Sequence, residues 1–345
     1  MTNVSQLGVL TGGGDCPGLN PVIRAVTRRA ILAGLNVLGI RNGWKGLIEA
    51  DVIPLDLQSV SGILPKGGTI LGTSRTNPYK RREDVERLLE NLQRLQLDAL
   101  IAIGGEDTLG VATKLAKEGV KIVGVPKTID NDLSMTDYTF GFDTAVNIAM
   151  EAIDRLHTTA ESHHRIMVAE VMGRHAGWIA TAAGIAGGAD VILIPEEPID
   201  LDAVCELIKK RHSRGKDFSI VVVAEGAQLK GQTPVASEAK RDEFGHVRLG
   251  GIGHTLGQLI EERTGYETRV TVLGHLQRGG SPTAFDRVLG TRFGVKAVEL
   301  ALEGKFGYMA SLQGNRVLAV PIQESIGKLK TVDHELYTIA KIFFG

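Results

Sequence analysis

Three short polar segments contain the residue types that phosphate chemistry requires. Residues 12–15, 104–108 and 126–132 each follow a short apolar run that is rich in β-branched side chains. Glycines let main-chain N–H groups approach phosphate oxygens, and a helix N-terminus favours an anion. Carboxylates beside phosphates suit a magnesium ion and a base that removes a proton from an attacking hydroxyl. The pattern therefore indicates phosphoryl transfer.

Each segment also has an interpretation that involves no ligand. Residues 12–15 could form a plain glycine turn, and residues 104–108 could be a helix N-terminus with favourable acidic residues. Residues 126–132 could be a polar turn after a buried strand. However, Asp130 and Asp132 alternate, and an extended backbone would place both on one face about 7 Å apart. One carboxylate could then act as a base while the other orients a metal-bound water.

Arginines in glycine- or histidine-containing turns, mostly at strand ends, give a second signal. They are Arg75, Arg165, Arg174, Arg269 and Arg278. Because the arginine fork matches phosphate geometry, several of them together indicate a phosphorylated substrate. Any one of them alone could instead be a surface salt-bridge partner. His163 and His164 have no third ligand at metal spacing, so structural roles are expected for them.

The elements that must position these residues alternate between strand and helix. Strands are predicted at residues 7–11, 37–40, 99–103, 122–125, 165–170, 191–194, 219–224 and 268–273. Asn20 is a predicted N-cap with Pro21 at the first helical position, and residues 85–92 have helical spacing. This alternation favours parallel sheets with right-handed crossovers, which bind ligands at the carboxyl ends of their strands.

Composition limits the class of protein. The 345 residues are enough for two domains, and the formal net charge of −1 argues against nucleic acid or an anionic membrane as a partner. Cys16 and Cys205 cannot make a disulfide framework or a zinc site. The sequence has no signal-peptide pattern and no apolar run near the roughly 20 residues that span a bilayer. A cytoplasmic protein is expected.

Taken in order, the motifs resemble those of the phosphofructokinase family over essentially the whole chain. The matching segments are residues 12–15, 67–75, 104–108, 126–132, 170–177, 224–226 and 269–280. The resemblance implies transfer of a phosphoryl group to the 1-hydroxyl of fructose 6-phosphate, which gives fructose 1,6-bisphosphate. It also implies Mg²⁺ as the cofactor and a homodimer or homotetramer whose subunits complete one another's active sites.

The resemblance further implies a phosphofructokinase-like fold of two facing three-layer α/β domains with mainly parallel sheets. The larger domain is predicted to comprise residues 1–140 plus about 255–300 and to hold the phosphoryl donor and the metal. The smaller domain is predicted to comprise residues from about 141 to 254 plus 301–345 and to hold fructose 6-phosphate. The chain is expected to cross between domains at residues 141–143 and to return near residues 250–253.

Individual roles follow from the resemblance. Asp130 is the expected proton acceptor, and Lys127 and Asp107 are the other expected catalytic residues. Donor contacts are expected from Gly13, Arg75, Gly104 and Gly105. Sugar-phosphate contacts are expected from Thr128, Ile129, Asp130, Met172, Gly173, Arg174, Glu225, His275, Leu276, Gln277 and Arg278, with Arg165 and Arg269 supplied by a neighbouring subunit. Glu106 is the expected magnesium ligand, and Asp132 is a candidate contact to the ion through a water.

Two residues favour pyrophosphate over ATP as the donor. The bacterial ATP-using members usually have glycine where this chain has Asp107 and Lys127, and both changes match pyrophosphate-dependent members. A carboxylate at position 107 would lie in or near the space of the α-phosphate of ATP. At about 4 Å and an effective dielectric constant near 20, the repulsion is roughly 4 kcal/mol. Such a repulsion weakens ATP binding about a thousandfold.

The cation of Lys127 would meet pyrophosphate and the transferring group. Because pyrophosphate stores little more free energy than the product ester, the reaction is expected to run in both directions. An ATP-dependent enzyme of the same family is one alternative. A non-catalytic sugar-phosphate sensor on the same fold is another, although a sensor has no need of Asp130.

Overall fold

The computed structural model describes residues 4–231, 244 and 249–345. Its strands are β1 (Gln6–Thr11), β2 (Asn36–Ile40), β3 (Val52–Pro54), β4 (Ala99–Gly104), β5 (Ile122–Thr128), β6 (Phe140–Gly141), β7 (Ile166–Val171), β8 (Val191–Leu193), β9 (Ser219–Ala224), β10 (Thr268–Val272), β11 (Tyr308–Gln313) and β12 (Arg316–Pro321). Its α-helices are α1 (Leu19–Leu32), α2 (Trp44–Glu49), α3 (Arg82–Arg94), α4 (Glu106–Lys117), α5 (Phe142–His163), α6 (Trp178–Ala186), α7 (Leu201–Ser213), α8 (Ile252–Thr264), α9 (Ala284–Leu302), α10 (Ile322–Ser325) and α11 (His334–Ile342). Short 3₁₀ helices span Pro78–Lys80 and Gly274–Arg278.

The first sheet has the strand order β12-β11-β5-β4-β1-β2-β3, with β6 beside β5. Its central strands are parallel and buried, and the register places Ile101 of β4 between Val9 and Val123. In the described residues, the strands at the two ends of this order are β12 and β3, and each pairs with its neighbour in antiparallel orientation. Because β1, β4 and β5 end at the same edge, residues 12–15, 104–108 and 126–132 meet there.

The second sheet has the order β10-β7-β9-β8, and all its strand pairs are parallel. Helices α5 and α6 cover one face, and α7 and α8 cover the other. The first sheet is likewise covered by α1 and α9 on one face and by α2, α3 and α4 on the other. The predicted fold class, facing three-layer α/β units with mainly parallel sheets, is confirmed.

One hydrophobic cluster joins the two sheets. It contains Val9 of β1, Ala149 of α5 and Val222 of β9, all of them fully buried. Burial of apolar surface is the dominant favourable term in folding, so a shared core resists separation of the two sheets. The cluster thereby fixes the second sheet's loops opposite the carboxyl edge of the first.

The pairing of the strands corrects the predicted division of the chain. The segment from about residue 255 to 300 is predicted in the larger domain, and α9 does pack against α1 and β5 of the first sheet. However, β10 pairs with β7 in the second sheet and α8 packs on both of those strands. Residues 301–345 are predicted in the smaller domain, and α11 does pack against α6 and β8 of the second sheet, but β11 and β12 extend the first sheet beside β5. The chain returns to the first sheet between β10 and α9. Gly250 and Gly251 instead precede helix α8, whose N-cap is Gly251 and whose first turn contains Gly253.

Every predicted strand is present, but one predicted helix cap is wrong. Helix α1 begins at Leu19 with Gly18 as its N-cap, so Asn20 lies inside the first turn. The Asn20 amide donates to the carbonyl oxygen of Lys66 at 3.0 Å, and its Oδ1 accepts from Ile70 N at 2.8 Å. Its polar groups hold a neighbouring loop rather than the end of its own helix. Among the helices described, none combines the length and apolarity that crossing a bilayer demands.

Candidate active site

A cavity of about 70 Å³ lies where the carboxyl edge of the first sheet faces the second sheet. It is lined by Gly13, Gly14, Arg75, Gly105, Glu106, Asp107, Thr108, Lys127, Thr128, Asp130, Asp132, Arg174 and Arg278. Arg174 follows β7, Arg278 ends the 3₁₀ helix after β10, and the others belong to segments of the first sheet's side. Both sheets therefore contribute side chains to one site. Gly14 and Thr108 are lining residues without an individually predicted role.

The glycine loop after β1 lies close to two cationic side chains. A Cβ atom added at Gly14 would come within 2.7 Å of Arg278 Nη1, so a larger residue here would require that guanidinium to shift. Arg278 Nη1 also donates to the carbonyl oxygen of Asp15 at 3.2 Å. Gly13 has a φ of 77°, a left-handed conformation that glycine adopts without strain. The loop is thus shaped around positive charge, as an anion site needs.

Lys127 is buried at the end of β5, with 3% of its surface exposed. Its ammonium group donates a hydrogen bond to the carbonyl oxygen of Gly14. Burial lowers the pKa of this lysine, because the charged form loses its hydration. A bound anion at the cavity would restore favourable interactions for the ammonium.

The turn after β5 departs from the expected extended backbone. The strand ends at Thr128, and Asn131 has a φ of 52° in the left-handed region, so Asp130 and Asp132 do not share a strand face. Asn131 tolerates this conformation because its side chain bonds locally, with Oδ1 accepting from Thr139 N at 3.1 Å. The turn still directs both aspartates to the same cavity.

Asp130 presents an unused acceptor to this cavity. Asp130 is 5% exposed, and its Oδ1 has no hydrogen-bond partner among the atoms of the described residues. A buried carboxylate oxygen without a hydrogen bond costs free energy, because it has lost its contacts with water. Its presence here indicates that a ligand hydroxyl or a cation is its partner. Burial, followed by the charge of Asp130, raises the pKa of neighbouring Asp132 to about 7.

The carboxylates fit a divalent cation. Glu106, Asp107, Asp130 and Asp132 all border the cavity, and a cation would offset the repulsion that raises the pKa of Asp132. Within residues 4–231, 244 and 249–345, no three His, Cys, Asp or Glu side chains converge into a complete protein-only metal site. Mg²⁺ commonly uses one or two carboxylates, substrate phosphates and waters, which this donor set can provide.

Arg174 and Glu225, two of the predicted sugar-phosphate ligands, follow β7 and β9, which are neighbouring strands of the second sheet. Arg174 has a φ of 51°, and its N–H donates to Glu225 Oε1 at 3.2 Å. Burial, followed by the charge of Asp130, raises the pKa of Glu225 to about 7. Gln277 is fully buried, and its Oε1 accepts from Met172 N at 2.9 Å. Gln277 therefore joins two predicted binding segments to each other.

The other predicted residues lie outside the cavity lining. Gly104 ends β4, where a Cβ atom would meet the side chain of Thr108 at 2.3 Å, and Ile129 lies in the hydrophobic core. Gly173 precedes Arg174 with a φ of 143°. His275 and Leu276 are exposed on the 3₁₀ helix.

Arg165 and Arg269 share one partner and do not border the cavity of their own chain. Arg165 Nη2 lies 2.8 Å from Glu267 Oε1, and Arg269 also pairs with Glu267. Arg165 lies just before β7 and Arg269 lies within β10, which are neighbouring strands of the second sheet. The pair forms a small cationic group around a single carboxylate.

A second cavity, of about 320 Å³, adjoins the first. It is lined by Asn77, Glu106, Asp107, Gly110, Val111, Lys114, Phe244, Ile326 and Gly327. Glu106 and Asp107 border both cavities, so the N-terminus of α4 is the divide between them. Glu106 and Asp107 are therefore the residues that a ligand spanning both cavities would meet.

Comparisons with known proteins place these observations in a family. A sequence profile described as Phosphofructokinase matches residues 6–301. A pyrophosphate–fructose 6-phosphate 1-phosphotransferase of Streptomyces coelicolor is 59% identical over 342 residues, which cover 99% of this chain and 100% of the relative. An ATP-dependent 6-phosphofructokinase 3 of the same organism is 53% identical over 97% of this chain and 99% of its own.

A solved structure agrees with the sequence relatives. The phosphofructokinase of Pichia pastoris in the T-state superimposes with a TM-score of 0.85 at 32% identity and covers 99% of this chain. This chain spans 37% of the length of the Pichia chain. The match of fold, motif order and nearly the full length leads to one conclusion: the chain belongs to the phosphofructokinase family.

Proposed function

We propose that this protein transfers a phosphoryl group from pyrophosphate to the 1-hydroxyl of fructose 6-phosphate, reversibly, with Mg²⁺ as cofactor. The observation that carries the proposal is the cavity that brings together Asp130, Lys127 and Asp107 with arginines of the second sheet. A base, a buried cation and two guanidinium groups are what phosphoryl transfer between two phosphorylated molecules requires.

Asp130 takes the proton of the attacking hydroxyl. Its Oδ1 is a buried acceptor without a partner in the described part of the chain, so a substrate hydroxyl can occupy that position without displacing a protein bond. Removal of the proton as the new bond to phosphorus forms keeps charge from building up on the nucleophile. Lys127, beside the glycine loop, stabilises charge on the transferring group from a fixed position.

The sugar phosphate is held from the second sheet. Arg174 and Arg278 supply guanidinium groups to the cavity, and Glu225 beside Arg174 is an acceptor for sugar hydroxyls. Such anchoring aligns the 1-hydroxyl with Asp130 and removes orientational entropy before the reaction. The proposed donor contacts are Gly13, Gly105 and Arg75, which line the cavity from the first sheet's side.

Glu106 would hold the magnesium ion, with Asp132 in contact through a water. When bound, the ion supplies positive charge that neutralises donor phosphate oxygens. The protein's own part is to present these carboxylates and to keep bulk water from the buried turn of Asp130.

Pyrophosphate is the proposed donor because of the divide between the two cavities. Asp107 borders both cavities, and a nucleoside triphosphate that reacts in the first cavity is the donor long enough to extend toward the second. The shorter pyrophosphate has no nucleoside end to place there. Repulsion of roughly 4 kcal/mol at about 4 Å, with an effective dielectric constant near 20, disfavours the longer donor. The names of the 59% and 53% identical relatives, one of each donor type, make ATP the alternative to test.

Arg165 and Arg269 are proposed to complete the site of a neighbouring subunit. Neither borders the cavity of its own chain, and together they offer two guanidinium groups around Glu267. A homodimer or homotetramer in which this pair meets the sugar phosphate of the neighbouring subunit would make activity depend on association.

The experiment that tests the proposal is steady-state kinetics with fructose 6-phosphate and either pyrophosphate or ATP, with and without Mg²⁺. We expect magnesium-dependent turnover with pyrophosphate and the reverse reaction from fructose 1,6-bisphosphate and phosphate. Absence of turnover with either donor would support a sugar-phosphate sensor instead.

A further inference from the structure

Residues 326–332 form a segment that crosses the edge of the active site after helix α10. We call it the crossing segment. It lies beyond residue 301, where the match to the family profile ends. Gly327 N donates to Glu106 Oε1 at 2.9 Å, and Lys330 N donates to the carbonyl oxygen of Asp132 at 2.9 Å. Two proposed metal-site residues are therefore hydrogen-bonded to a stretch of chain that lies 221 positions from Glu106 and 198 positions from Asp132.

The side chain of Lys330 is bonded to the turn that follows Asp130 and Asp132. Its Nζ donates to the carbonyl oxygens of Thr136 at 2.9 Å and Asp137 at 2.6 Å. Burial lowers the pKa of Lys330 to about 8, which the charges of Asp137 and Asp132 oppose. A largely buried cation whose bonds go to backbone carbonyls fixes the path of the chain rather than the position of one side chain.

The crossing segment is also bound to the second sheet's side of the molecule. Trp178 Nε1 donates to the carbonyl oxygen of Lys330 at 2.9 Å, and Lys330 Nζ lies 5.0 Å from the centroid of the Trp178 ring. Val332 N donates to Glu196 Oε1 at 2.9 Å, and the same carboxylate accepts from Gly177 N. Gly177 and Trp178 begin α6, a few residues after Arg174.

We propose that Lys330 is a positioning residue for the reaction: it holds the turn bearing Asp130 and Asp132 in register with the turn bearing Arg174. This inference rests on the proposed function of the same site. Lys330 is not one of the residues that line the cavity, and its described bonds go to backbone carbonyls and to Trp178. Asp130 must lie within hydrogen-bond reach of a hydroxyl that is anchored from the other sheet, so the relative position of the two turns sets the rate.

The experiment compares Lys330→Met with Lys328→Met in the full-length enzyme. Methionine keeps the length of the side chain but removes the charge and the donors. Lys328 is an exposed lysine of the same segment, so it controls for loss of positive charge. Because a displacement of about 1 Å can cost about a hundredfold in rate, we expect kcat to fall at least tenfold in Lys330→Met. We expect the KM for fructose 6-phosphate to change by less than about threefold, because Arg174 and Arg278, the arginines proposed to anchor the sugar phosphate, belong to the second sheet's side.

Two further variants separate positioning from folding. Lys330→Arg, which keeps a charged donor, should recover most of the kcat. Trp178→Phe, which loses the indole N–H but keeps an aromatic ring, should lower kcat in the same direction by a smaller factor. The thermal unfolding midpoint and the affinity for fructose 6-phosphate of both variants are measured by calorimetry. Both quantities should equal those of the wild type.

The outcomes are decisive in either direction. A kcat of Lys330→Met within twofold of the Lys328→Met value overturns the proposal. So does a loss of kcat that Lys330→Arg fails to recover and that accompanies an equal loss of sugar-phosphate binding. The comparison uses whichever donor the wild type accepts, so a wrong donor assignment leaves the test of Lys330 intact.

Discussion

Asp286 and Thr144 join the first turns of two helices through two hydrogen bonds to one oxygen. Asp286 Oδ2 accepts from the backbone N–H of Thr144 at 2.8 Å and from its hydroxyl at 2.5 Å. Helix α5 leads from the first sheet to the second, and α9 begins after the chain returns. The pair therefore connects the two crossings between the sheets, and its strength bears on their relative position.

The carboxyl of Asp286 makes the stability of the protein depend on pH. Burial raises the pKa of Asp286 to about 6, above its ordinary value of 3.8, although the hydrogen bonds from Thr144 act to lower this pKa. Because the folded state binds the proton more tightly, this contribution is fully present below pH 3.8 and is lost as pH rises through about 6. We expect Asp286→Asn, which cannot ionise, to gain up to roughly 3 kcal/mol relative to the wild type between pH 4 and pH 7. Urea unfolding at both pH values measures the difference.

A matched control for this effect is the exposed Asp154→Asn on helix α5. Its free energy of unfolding should follow the wild type at both pH values. If Asp286→Asn also runs parallel to the wild type, Asp286 is not held with a raised pKa.

Replacement of the proposed base should remove turnover and leave binding. We expect Asp130→Ser to lower kcat by about 10²–10⁴-fold, the range that general base catalysis supplies. The affinity for fructose 6-phosphate, measured by calorimetry, should stay close to that of the wild type because Arg174 and Arg278 are unchanged. Near-normal turnover of this variant would assign proton removal to another group.

Mixing two inactive variants tests whether subunits share active sites. A hybrid dimer contains one Arg269→Ala subunit and one Asp130→Ser subunit. If Arg269 serves the neighbouring subunit, both defects lie in one active site and the other site is intact. Random reassociation of equal amounts should then recover about one quarter of wild-type activity. If Arg269 serves its own chain, every site of a hybrid retains one defect and activity stays at the level of the separate variants.

Much of the site was predictable because its residues follow buried strands closely. Asp130, Lys127 and Glu106 come within a few positions of runs that must be β-strands, and parallel strands bring their ends together. The conformation of the turn was not predictable, since Asn131 takes a left-handed φ that depends on its bond with Thr139. An asparagine between two aspartates was the available signal.

The errors in the fold have a common physical origin. The sequence around β10 alternates weakly, and its membership of the second sheet is set by pairing with β7 about 100 residues earlier. The crossing segment contains no motif and no apolar periodicity of a helix or strand. Its bonds nevertheless reach Thr136, Trp178 and Glu106. Contacts between residues so distant in sequence leave no local pattern.

A change at the divide between the two cavities should alter the choice of donor. We expect Asp107→Gly to raise kcat/KM for ATP by as much as about a thousandfold, because roughly 4 kcal/mol of repulsion is removed. Glu83→Gly removes an acid at the same position of helix α3 and controls for the loss of a favourable charge at a helix N-terminus. Equal ATP use by the two variants would show that the charge of Asp107 does not set the donor.

The central claim is that the unmodified protein uses inorganic pyrophosphate. Its most direct test is the ratio of kcat/KM for pyrophosphate to kcat/KM for ATP, measured with saturating fructose 6-phosphate and Mg²⁺. We expect a ratio of about a thousand, because of the repulsion between Asp107 and an α-phosphate. A ratio below one, with ready phosphorylation from ATP, would contradict it.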